Sequence, residues 1–123
     1  MYYKFGFMTT MSYPRQVYVK GLPLLFSGWN GVYEKTDEIS EDAPVYYRKP
    51  HRMFFALQII GIKLKKYYGQ WVFHPDNGGA GCLTNITDNG PLGEYVSSGL
   101  NRHEHPDMKA EVIQYHGLYT HIF

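Results

Sequence analysis

Short stretches of alternating apolar and polar residues recur along this chain. In QVYVK, residues 16–20, Val17 and Val19 fall on one side and Tyr18 and Lys20 on the other, the two-residue period of a half-buried strand. The same alternation returns in VYEK from Val32 and in PVYYRK from Pro44, with the polar stretch TDEISEDA between them. Residues 31–49 are therefore expected to form a β-hairpin. Asn30-Gly31 reads as a turn signal ahead of it and the acidic stretch as its solvated loop.

From Met53 to Lys66 the pattern is continuously apolar at first and alternating later, with Ile60, Ile62 and Leu64 opposite Gly61, Lys63 and Lys65. Isoleucines lose rotamer freedom in a helix, so one long strand is expected. KKYYGQ then turns the chain, and QWVFH returns as a second hairpin with Trp71 and Phe73 on one face. The expected core combines Val32 or Tyr33, Val45 or Tyr47, Leu57, Ile60, Ile62, Leu64 and Trp71.

Elsewhere the period fades. Residues 1–15 form a candidate arm or edge strand. Residues 75–93 are rich in Gly, Asn and Pro, with room for one short strand near Cys82–Ile86. Pro106 and Asp107 early, with His116 and Gly117 late, frame at most one short helix near residues 106–116. A strand from Glu111 to Tyr115, paired with the final LYTHIF, is the preferred alternative. The fold class is thus mostly β: a single small antiparallel-sheet domain over residues 1–123, arranged as a meander, a sandwich or a partly open barrel.

Composition agrees. The 123 residues include 44% hydrophobic and 17% aromatic side chains, 12 of them tyrosines, which suits pleated surfaces. The lone Cys82 excludes an internal disulfide framework and leans the expected location intracellular. The N-terminal stretch lacks the basic-then-apolar order of a signal peptide, and no apolar run has transmembrane length, so no membrane partner is expected. Net charge is +1, which disfavours nucleic acid. Charge is nonetheless segregated: Glu34, Asp37, Glu38, Glu41 and Asp42 lie in one segment, and Arg48, Lys49, Arg52, Lys63, Lys65 and Lys66 in the next.

Three groups of residues bear on chemistry. The acidic stretch lacks the alternating carboxylates and the glycine of a calcium loop, so it reads as a solvated hairpin end. His103 and His105, two apart, would point the same way on a strand and could hold Zn or Fe with Glu111. That makes a small metal-dependent β-barrel enzyme the alternative function. The preferred expectation needs no cofactor and no catalytic residue. It is a binding or assembly module in which Trp29, Tyr46, Arg48, Tyr67, Tyr68 and Trp71 contact a protein or a polar ligand such as a glycan. Tyrosine and tryptophan offer contact area and a polar tip together.

Overall fold

The computed structural model describes residues 13–53, 57–77, 83–85, 90–98 and 103–117. Among these residues ten strands follow one another: β1 (Gln16–Lys20), β2 (Gly31–Ser40), β3 (Ala43–Arg48), β4 (His51–Met53), β5 (Leu57–Ile59), β6 (Ile62–Tyr67), β7 (Gln70–Pro75), β8 (Leu83–Asn85), β9 (Gly93–Ser97) and β10 (Lys109–Gln114). A 3-10 segment, η1 (Leu24–Trp29), joins β1 to β2. Eight strands close into a barrel in the order β1-β10-β9-β8-β7-β6-β3-β2, and β4 pairs with β5 as a separate two-stranded sheet. Every pairing is antiparallel. Closure comes from β1, which pairs with both β2 and β10 and so leaves the barrel without an edge.

The alternation in the sequence sets which side chains enter the barrel. Val17 and Val19 of β1, Ile62 and Leu64 of β6, and Trp71 and Phe73 of β7 all point inward and are buried. Phe73 lies among the rings of Tyr95, Tyr33 and Trp29, at 5.1, 5.7 and 6.2 Å between centroids. Three tyrosines, Tyr33, Tyr46 and Tyr95, are wholly buried. Each solves the problem of a buried hydroxyl in the same way, by donating to a backbone carbonyl at a mouth of the barrel: Trp29 at 2.8 Å, Pro14 at 2.6 Å and Pro91 at 2.6 Å, respectively. Burial pushes all three phenols above the ordinary tyrosine range, so they remain donors.

Several expectations are corrected. The hairpin of residues 31–49 forms, but its loop is only Glu41-Asp42, because β2 runs on through Thr36 to Ser40. The extra residues are absorbed by a bulge in which Thr36 to Glu38 face Val45 alone, and Thr36 Oγ1 donates to the Val45 carbonyl at 2.8 Å. Asn30-Gly31 is not a hairpin turn. Asn30 ends η1 through its N–H to Ser27 and clasps Leu22 with its side-chain amide, 3.1 and 3.3 Å, while Gly31 (φ +128°) begins β2.

The stretch expected as one long strand from Met53 to Lys66 is divided: Met53 ends β4, which pairs antiparallel with β5, and β5 gives way to β6 at Gly61. There a Cβ would overlap the Tyr47 hydroxyl and the Asp76 carboxylate, and the Gly61 carbonyl accepts from Asp76 N–H. Of the expected core, Ile60 is only half-buried, Tyr47 faces outward, Val45 is buried away from the main cluster, and the Leu57 side chain lies outside the described residues. At residues 106–116 the preferred strand forms instead of the helix, but as β10 it starts earlier, at Lys109, and pairs with β1 and β9, because alternate Met108, Ala110 and Val112 fit a sheet face and are buried. Its expected partner LYTHIF, most of the N-terminal arm, and Cys82 lie outside the described residues.

Candidate functional site

The barrel interior is filled with side chains, so candidate sites are on its outside and its mouths. The sequence-derived ligand set divides accordingly. Tyr46 and Trp71 are core residues, which removes them from a recognition surface: strand alternation turns both inward, where Tyr13 packs against Trp71 at 6.1 Å. Trp29 is half-buried, edge-on to Phe26 at 5.7 Å, and helps close a mouth of the barrel. Tyr67, Tyr68 and Arg48 keep surface.

Tyr67 and Tyr68 sit at the β6–β7 turn. Its central residues, Tyr68 (φ 51°) and Gly69 (φ 80°), both have positive φ, as a two-residue hairpin requires. The neighbouring β2–β3 turn has the same form at Glu41 (φ 51°) and Asp42 (φ 65°). The two turns are tied together. The Glu41 carboxylate accepts from Tyr68 N–H at 2.6 Å and Gly69 N–H at 2.9 Å, and Ser40 Oγ donates to the Lys66 carbonyl at 2.7 Å. Tyr68 is 82% exposed and Tyr67 40%, with ring centroids 4.5 Å apart. The ammonium of Lys65 stands 5.7 Å from the Tyr67 ring centre, within cation–π range. The electrostatic influence of the neighbouring Tyr68 hydroxyl, and then the hydrogen bond between the two, raise the Tyr67 pKa.

Below this tip, the outer face of β3, β6 and β7 carries a cross-strand row of Tyr47, Lys63 and His74. Tyr47 donates to Asp76 at 2.7 Å, a bond that raises its pKa by favouring the neutral phenol. Lys63 of β6 pairs with Glu38 of β2 at 3.0 Å, so the acidic and basic segments of the sequence partly neutralise one another across the intervening β3. His74 Nδ1 is buried without a hydrogen-bond partner, and burial followed by Lys65 and Lys63 lowers its pKa.

At the other mouth, Arg48 lies against η1. Its Nε donates to the Gly28 carbonyl at 3.3 Å, and its guanidinium meets His51 Nε2 at 3.2 Å. Beside it opens a cleft of about 350 Å³ over the outer face of β2 and β3. A second cleft, about 410 Å³, lies between η1 and the segment leading into β10, walled by Pro23, Phe26, His105 and Met108.

Among the described residues, the histidines and acids of the metal alternative are not assembled into a ligand set. His103 stands exposed on a helical turn with Glu104 rather than on a strand, so the two-residue spacing does not align it with His105. His105 is half-buried with its ring edge-on to Phe26 at 5.2 Å. Glu111 lies on the outer face of β10, 3.6 Å from Lys20. Among the described residues, no group of three His, Cys, Asp or Glu could hold a metal ion. None of their helices is long and apolar enough to cross a membrane.

The tie made by Glu41 was missed from sequence. Its one local signal, an acid at a turn, is indistinguishable from the solvated carboxylates around it. Comparison with protein-family models, with curated proteins and with solved structures finds no match to the chain.

Proposed function

We propose that the protein is a non-catalytic binding module that holds a protein or glycan partner against the Tyr67–Tyr68 tip and the adjoining outer face with Lys65, Lys63 and Tyr47. One observation carries this reading: Tyr68 is 82% exposed at φ 51°. Asn or Gly occupies such a turn position at lower conformational cost, and a bulky residue there is uncommon. A strained backbone position occupied by an exposed aromatic ring, in a turn tied down by Glu41, favours recognition over stability. The tie also means that little side-chain and loop freedom remains to be lost on binding.

The test compares wild-type protein with Tyr68→Asn on a glycan array and against a displayed peptide library. A ligand bound by wild type should lose about tenfold or more in affinity, about 1.4 kcal/mol, in the variant. The melting temperature should stay level or rise, because Asn relieves the left-handed strain. Ligands bound equally by Tyr68→Asn and Tyr67→Ala would exclude the tip as the contact surface.

A further inference from the structure

We infer that the cleft beside Arg48 is a binding site for a small oxyanion, a phosphate or carboxylate group, separate from the tyrosine tip. Its volume is about 350 Å³, and its walls bring together Lys35, Arg48 and Lys49 against the single carboxylate of Glu34, with the Tyr47 ring as an apolar side. Glu34 is turned toward Gln16, whose side-chain amide donates to it at 3.4 Å. Among the described residues, the ion pairs are Lys63–Glu38 and Lys20–Glu111, so none of the three cations in the cleft is neutralised by a carboxylate.

The half-buried Arg48 is the unusual member. A guanidinium offers five N–H donors and no acceptor. Two of its contacts are accounted for by the Gly28 carbonyl and the His51 ring, both uncharged acceptors. Because Arg48 can only donate, His51 Nε2 must accept, which makes the ring neutral with its proton on Nδ1. Burial and then the Arg48 charge hold the His51 pKa low, in keeping with a neutral ring. These neutral contacts position the guanidinium without cancelling its charge. A Cβ at Gly31 would overlap the same guanidinium, so the glycine makes room for it.

The other polar groups of the cleft are already committed. Thr36 Oγ1 donates to Val45, and the Tyr47 hydroxyl donates to Asp76. The donors left for a ligand are therefore cationic, and planar N–H groups beside ammonium groups suit an oxyanion.

The test follows the amides of Lys49 and His51 and the Arg48 Nε–H by NMR in the full chain. Inorganic phosphate and succinate are titrated in separate arms at constant ionic strength set by sodium chloride. Saturable shifts confined to the cleft are expected in at least one arm, and the tighter arm identifies a phosphoryl or a carboxylate ligand. Arg48→Gln should weaken binding by about tenfold or more, the loss expected of a charge-assisted contact. Because Arg48 also braces η1, Lys49→Ser at the exposed rim serves as the second variant, with weaker binding and an unchanged melting temperature. Tyr68→Asn should bind the anion like wild type, which keeps this site distinct from the tip. Non-saturating shifts spread over Lys63, Lys65 and Lys66, or binding indifferent to Arg48→Gln and Lys49→Ser, would overturn the inference.

Discussion

At one mouth of the barrel two tight turns lie side by side, and a single exposed carboxylate, Glu41, caps two amides of the neighbouring turn. At the other mouth η1 lies over the opening, with Phe26 and Trp29 packed on the core and Tyr33 and Arg48 reaching to its carbonyls. The paired turns are fastened to each other by polar bonds between groups water can reach, η1 to the barrel by buried aromatic area. Such bonds contribute about 1 kcal/mol net apiece, whereas a well-packed aromatic side chain contributes several. The tied turns therefore orient an exposed surface at little energetic gain, and the packed mouth carries stability. The cleft between η1 and the segment entering β10 forms because an irregular segment set against a regular barrel leaves a gap.

The largest effect should come from the packed mouth. Trp29→Ala removes the ring that contacts Phe26 and Phe73 and should cost about 2–4 kcal/mol, below the loss for a wholly buried tryptophan. Chemical denaturation measures it, and a loss below that of any turn variant would reverse the comparison. Glu41→Ala should cost about 1–2 kcal/mol by releasing Tyr68 and Gly69 N–H. Its sharper readout is faster amide exchange at those two residues, with exchange in β1 and β10 unchanged.

Acid should produce the smallest effect. His51 and His74 are both held below the ordinary histidine value of 6.5, first by burial and then by neighbouring cations. A depressed folded-state pKa gives stability that is present above that value and lost as pH falls through the lower folded one. Melting temperature should thus be level near pH 7.5 and decline below about 6.5. His51→Gln, which keeps an acceptor for Arg48, should remove part of the decline. A flat profile down to about pH 5 would show that neither ring is held neutral by the fold.

The strands were legible because alternation is a local property. Val17 with Val19, Ile62 with Leu64, and Trp71 with Phe73 each declare a buried face within a few residues. The TDEISEDA stretch misled because a bulged strand and a polar loop have the same composition; only the partner strand, with Val45 opposite three residues, distinguishes them. The helix frame at Pro106 to Gly117 competed with the preferred strand for a related reason. Capping residues are satisfied equally by a strand that finds neighbours on both sides, as β10 does with β1 and β9.

By itself the sequence determined a mostly β chain, its second hairpin at Tyr67–Gln70 and the inward faces of β1, β6 and β7, all consequences of a two-residue period acting over short distances. Tertiary structure alone decided that β1 closes the barrel between β2 and β10, since closure pairs residues far apart in the chain. It also decided which tyrosines are core and which are surface. Tyr46 and Tyr47 are neighbours in sequence, as are Tyr67 and Tyr68, and a tyrosine ring suits either place. Burial is permitted only where a backbone carbonyl waits for the hydroxyl, as Pro14 does for Tyr46. No local pattern announces that carbonyl, because it arrives from another part of the fold.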